Sequence, residues 1–146
     1  MKLSENFTLE ELTQSATARA YGIDNEPTAS AAANLRRLAV EILQPIRDAY
    51  AKPISINSGY RCPELNKRVK GSNTSQHLTG QAADISCTKT SKAVLFNLIL
   101  GMIRSGKIRV GQLIWEYGSK KEPKWIHISL PRNGKPNNQV LYYYDT

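Results

Sequence analysis

The sequence is short of the residues that most often advertise chemistry: two histidines, two cysteines, two tryptophans and two phenylalanines in 146 residues. Cys62 and Cys87 show neither a C-x-x-C pair nor zinc-finger spacing. That argues against a zinc finger or a redox pair; two free, mostly buried thiols are expected, with a disulfide or a metal role as the alternatives. No apolar run approaches the roughly 20 residues needed to span a membrane. Met1-Lys2-Leu3-Ser4-Glu5-Asn6 has a lysine with no apolar stretch behind it, so no secretory signal is read and synthesis in the cytoplasm is expected. No repeat, linker or low-complexity tract divides the chain, so one domain over residues 1–146 is expected. Acidic residues are also few. Twelve Asp and Glu against twenty Lys and Arg give a net charge of +8, a surface that attracts polyanions. There is no RNP-like aromatic motif, helix-turn-helix signature or basic run, so a nucleic-acid interface is not expected. Nothing in the sequence demands more than a monomer.

What is present patterns clearly into helices and strands. Thr8 can cap a helix starting at Leu9, with Glu11 reaching back and Phe7 stapled onto Leu12, and this helix is expected to end between Thr17 and Ala20. Gly22, Asn25 and Pro27 mark a loop. Residues 28–50 read as a long helix whose buried stripe is Leu35, Leu38, Ala39, Ile42 and Ile46, with a kink near residues 41–45 imposed by Pro45. Residues 53–58 alternate like a strand, 63–69 read as a short helix, and 82–86 as a strand. A second amphipathic helix starts at Ser91 and closes near Gly106. Strands are expected at 112–117 and 125–130, joined as an antiparallel hairpin, with a last strand at 140–144. The fold class is α+β, a mainly antiparallel sheet with helices packed against it.

Both histidines fall at suggestive places. His77 lies in Ser75-Gln76-His77-Leu78-Thr79-Gly80-Gln81-Ala82-Ala83-Asp84, where Gly80 permits a bend that lets His77 and Asp84 meet. His127 lies in the alternating run Trp125-Ile126-His127-Ile128-Ser129. Two imidazoles and a carboxylate are the minimum set for a catalytic zinc site with a fourth position open to water. Taken singly, a strand histidine is more often structural and an aspartate more often a surface charge, so spacing alone leaves both readings open. A hydrolytic site also needs a general base. Glu116, between Trp115 and Tyr117 on the strand expected to pair with that of His127, is the favoured candidate, its flanking aromatics raising its pKa by desolvation. Glu122, in the turn before Pro123, is the alternative. Arg61 at a strand end can hold a carboxylate or an oxyanion, or be one more surface cation.

Ser58-Gly59-Tyr60-Arg61, the Ser75–Asp84 stretch, Gln112-Leu113-Ile114-Trp115-Glu116 and Trp125-Ile126-His127 together resemble the zinc D-Ala-D-Ala carboxypeptidase family, the M15 peptidases. Within that family the chain resembles the compact phage and bacterial branch. The resemblance extends to Ile42-Leu43-Gln44-Pro45-Ile46-Arg47. It implies a hedgehog/D-Ala-D-Ala-peptidase-like fold and Zn2+ held by His77, Asp84 and His127. It further implies that Arg61 and Ser75 meet the substrate, Arg61 also acting in catalysis, and that short cell-wall peptides rich in D-residues are cleaved. In many relatives an acidic base stands three residues before the last histidine. Here that residue is Lys124, so the base must come from elsewhere, and Glu116 suits this branch.

Two functions of different class follow. The first is a peptidoglycan peptidase, made in the cytoplasm and reaching the wall after phage lysis or from a virion, with the positive surface drawn to an anionic wall. The second is a wall-binding or structural module with a vestigial zinc site. The loops at 66–74 and 118–124 are expected to shape the cleft and so decide which bond is cut.

Overall fold

The computed structural model describes residues 1–145; Thr146, the last residue of the expected domain, lies outside the described residues. Helix α1 (Leu9–Thr13) opens with a complete capping box: Thr8 accepts from the Glu11 amide, and the Glu11 carboxylate accepts from the Thr8 amide. Phe7 and Leu12 are both buried in the main core. The helix does not run on to residues 17–20. It stops at Gln14, and Ser15 caps a separate helix α2 (Ala16–Ala20) by accepting from the Ala18 amide.

The long helix is three segments of one continuous path: α3 (Ala29–Leu38), a π-helical turn (Ala39–Leu43) and α4 (Gln44–Tyr50). Pro45 has no N–H, and its ring would press on the carbonyl of Glu41 in an α-helix. The wider π turn just before it makes room, so the expected kink is a local rewinding of the ladder. All five stripe residues, Leu35, Leu38, Ala39, Ile42 and Ile46, are fully buried. Short helix α5 spans Pro63–Arg68, and α6 spans Lys92–Arg104 with Ser91 as its cap.

Five strands, β1 (Ser55–Ser58), β2 (Ala82–Ser86), β3 (Gln112–Glu116), β4 (Trp125–Ser129) and β5 (Gln139–Tyr143), form one sheet in the order β1-β2-β4-β3-β5. Every pairing is antiparallel except β3 with β5, which is parallel. The fold is therefore α+β with a mostly antiparallel sheet. Period-two alternation gives the sheet two unlike faces. Ile56, Ala83, Ile85, Leu113, Trp115, Ile126 and Ile128 enter the core with the long helix and α6. The other face carries Asp84, Ile114, Glu116, Trp125 and His127, and a cleft lies over it. Among the described residues no helix is long and apolar enough to cross a membrane. Both cysteines are free: Cys87 is buried, and Cys62 caps α5 through its sulfur, which accepts from the Leu65 amide.

Candidate metal centre and active-site cleft

Strand register brings two of the three expected ligands together. Asp84 on β2 sits directly opposite His127 on β4. His127 Nδ1 is 3.0 Å from Asp84 Oδ1. His77 reaches the same carboxylate from outside the sheet. It sits in a 3-10 turn (Gln76–Thr79) that Ser75 caps by accepting from the His77 amide. The turn ends at Gly80, whose φ of +73° lies in the left-handed region; a Cβ there would stand 2.4 Å from the Ala31 carbonyl oxygen. Glycine is required on both counts. His77 Nε2 is 3.4 Å from Asp84 Oδ1, while its Nδ1 is 2.7 Å from the Gly59 carbonyl. The carbonyl accepts from Nδ1–H, which orients the ring so that Nε2 faces the site.

One donor atom from each of His77, Asp84 and His127 lies within 4.8 Å of the other two. In a tetrahedron with bonds of about 2.0–2.1 Å, neighbouring ligand atoms stand roughly 3.3 Å apart. The two separations from Asp84, 3.0 and 3.4 Å, bracket that edge. The site is buried on the protein side, with His77 2% exposed, and open on the cleft side. The donor set and its spacing fit a small divalent ion such as zinc. Burial pushes the Asp84 carboxyl up, but the hydrogen bonds and charge of His127 and His77 outweigh it, holding Asp84 well below the usual carboxylate range.

Glu116 lines the same cleft, its Oε1 3.8 Å from His127 Nδ1. Burial first, then the charge of Asp84, raises its pKa; His127, Trp125 and His77 pull the other way. The aromatics beside it are not both of those expected from the sequence. Trp115 points into the core against Phe96, because alternate residues of a strand face opposite ways. Glu116 instead faces its cross-strand partner Trp125, with Tyr143 beside it on β5 and Tyr117 next in the chain. Glu122 is elsewhere. It accepts from the Lys92 amide at 2.8 Å at the start of α6 and pairs with Lys92 Nζ at 3.3 Å, and the amide bond chiefly lowers its pKa. Lys124 is exposed and pairs with Asp145 at 3.3 Å.

Arg61 lies three residues past the end of β1, at the junction of two parts of the cleft. Its amide donates to the His77 carbonyl at 3.0 Å, and its Nη2 reaches Ser75 Oγ at 3.4 Å. Burial lowers its pKa, opposed by Asp84 and Glu116, and its Nε is buried with no protein partner among the described residues. The segment carrying it is clamped by Asn25. That side chain donates to the carbonyls of Thr13 and Tyr60 at 2.8 and 2.9 Å and accepts from the Cys62 amide at 2.8 Å. The sequence offered Asn25 only as a loop breaker; nothing local shows that its amide bridges to residues 35 and 37 positions later.

The cleft encloses about 750 Å³. The 66–74 loop borders it as expected, from Val69 to Thr74, but residues 118–124 do not. Their place is taken by Tyr117, Tyr143 and Arg132. A β-hairpin turn folds back on its own strands: the Ser119 amide donates to the Glu122 carbonyl within the turn, and Gly118 exchanges hydrogen bonds with Asp145 beyond β5. Arg132 arrives from the segment after β4 and Tyr143 from β5, the last strand expected from the sequence, whose pairing with β3 no local pattern announced.

Imidazole and carboxylate donors gathered on one face of a sheet, open to a cleft with a half-buried glutamate beside them, are how hydrolases hold a metal. That is the class the fold and site define. A family model described as Peptidase M15 matches residues 5–129, and the chain belongs to that family. It is accordingly a peptidase of the metallopeptidase type. A comparison with curated proteins finds no match.

Proposed function

We propose that this protein is a zinc peptidase that hydrolyses peptide bonds in the stem or cross-link peptides of peptidoglycan. The observation that carries the reading is the His77–Asp84–His127 donor set at the floor of a cleft that also presents Glu116 and Arg61. These three residues would hold the zinc. When bound, zinc supplies Lewis-acid polarisation of a peptide carbonyl and acidification of water. The protein's own groups do the rest. Glu116 takes the proton from the attacking water and passes it to the leaving amine, a role suited to a carboxylate whose pKa is raised by burial. Arg61, held on its backbone side by His77 and Asn25, presents its guanidinium to a substrate carboxylate or to the oxyanion that develops during attack. Ser75 steadies both Arg61 and His77, and its hydroxyl proton remains available to the substrate.

Family membership and the positive surface support the wall as the substrate. Release by phage lysis or attachment to a virion agrees with such a small, basic enzyme. The test combines metal analysis with digestion of purified peptidoglycan, followed by mass spectrometry of the muropeptides. Wild-type protein should contain one zinc and release new peptide termini; His77→Ala should lose both. Retained zinc and full activity in that variant would sink the assignment. A folded, zinc-loaded wild type that releases nothing would favour the wall-binding alternative.

A further inference from the structure

The cleft is charged differently at its two ends. Near the proposed metal ligands its wall holds the carboxylates of Asp84 and Glu116, answered by Arg61. Away from them it meets Arg132, and there it continues into a pocket of about 270 Å³ lined by Gln76, Gln112, Gln139, Arg132 and Lys135. Behind the same loop a third pocket of about 350 Å³ adds Arg109 and Arg37. Neither pocket is lined by a carboxylate. Arg37 is tied to Glu41 at 2.9 Å, but Arg109, Arg132 and Lys135 make no ion pair among the described residues.

Arg132 is set in place without being neutralised. It is half-buried, and its Nη1 donates to the Thr74 carbonyl at 3.4 Å, which ties the 131–138 loop to the loop on the opposite bank of the cleft. Its other N–H groups have no protein partner among the described residues. A guanidinium held by one nitrogen against a neutral carbonyl keeps the fork that binds a carboxylate side-on. The side-chain amides of two surrounding glutamines are already engaged within the protein: Gln76 donates to the Leu130 carbonyl at 2.9 Å, and Gln112 to Gln139 at 3.2 Å. They supply neutral polar walls and leave the charge to Arg132 and Lys135. The family match ends at Ser129, so this loop is a feature of this chain beyond the matched residues.

We infer that the pocket at Arg132 and Lys135 is a subsite for a carboxylate carried by the substrate away from the scissile bond. The inference rests on the peptidase reading and narrows its substrate class. Peptides with a free acid on a side branch, such as a glutamyl α-carboxyl or the carboxyl of a diamino acid, are preferred over the same peptides with that acid amidated. The partly exposed site and the solvent-exposed lysine limit the preference to about tenfold in kcat/KM, expressed mainly in KM.

The test uses zinc-loaded full-length protein and one stem peptide made in acid and amide forms. Wild type should favour the acid, and Arg132→Gln with Lys135→Gln should bring the acid-to-amide ratio near one, with the change in KM. An undiminished preference in the double variant would overturn the subsite, as would equal handling of both peptides by wild type. So would competition by inorganic polyphosphate without discrimination between acid and amide. Calorimetric binding of both peptides to Glu116→Gln separates the two proposals. Preferential binding of the acid through Arg132, with no cleavage by wild type, keeps the subsite and removes the peptidase reading. Cleavage of both peptides at equal rates does the reverse.

Discussion

Glu116 is asked to do what a stable fold would avoid, holding a carboxylate half-buried beside Asp84. Its folded pKa lies above its unfolded one, so ionising it costs the native state stability. Below about pH 4 it is protonated in both states and contributes nothing; the cost appears as pH rises through the two values. Glu116→Gln should therefore raise the Tm of the metal-free protein at neutral pH, a gain that vanishes in acid, while lowering kcat by about 100-fold or more. Thermal scans across pH and peptide hydrolysis check the two halves. Glu122→Gln separates the carboxylates: tied to the start of α6, Glu122 should be lost with little change in kcat. Asn25 acts at the same scale but through the backbone. Removing its three hydrogen bonds in Asn25→Ala should cost about 2 kcal/mol in denaturant unfolding and weaken substrate binding through Arg61. Asn25→Asp should not rescue it, because a carboxylate would face the Thr13 and Tyr60 carbonyls that the amide now serves.

At the level of elements, the site is built where a short turn meets a sheet. Strand pairing puts Asp84 beside His127 without help from any loop, since opposed residues in an antiparallel pair project to the same side. His77 depends on the 3-10 turn, and the turn depends on Gly80. Gly80→Ala introduces both a disfavoured φ and a collision with the Ala31 carbonyl, so it should cost about 2 kcal/mol or more. It should also weaken metal binding, read by competition with a chelating dye, because His77 moves with the turn. The π turn ahead of Pro45 is the other irregular element, but it is packed in the core away from the cleft. Its residues Ala39, Ile42 and Leu43 are fully buried, so its consequence is for packing.

For the molecule as a whole, metal and fold should be linked. The three donors come from the 3-10 turn, β2 and β4, which are brought together only by folding, so a metal they bind stabilises the native state over the unfolded chain. Stripping metal with a chelator should lower Tm, and adding zinc should restore it; His127→Ala should show no such response. A protein whose Tm ignores both treatments would contradict the metal centre. The charge of +8 acts at this scale too, but unevenly. The cations of the 131–138 loop gather at one end of the cleft, while the acids sit at the other.

Much of this was determined locally. The capping box at Thr8 and Glu11, the buried stripe from Leu35 to Ile46 and the alternation in β2, β3 and β4 depend on neighbours within a few residues, so spacing alone announces them. The Ser75–Asp84 stretch is of the same kind: a capped turn, a glycine at positive φ and a strand aspartate follow one another in the chain. Tertiary structure decided the rest. Asn25 clamps Tyr60 and Cys62 across a gap of more than thirty residues, and Trp115 turns away from Glu116 because the sheet has a core face. β5 joins parallel to β3, bringing Tyr143 and the Arg132 loop to the cleft. Those placements come from the packing of distant segments against a shared core, and no local spacing encodes where such segments meet.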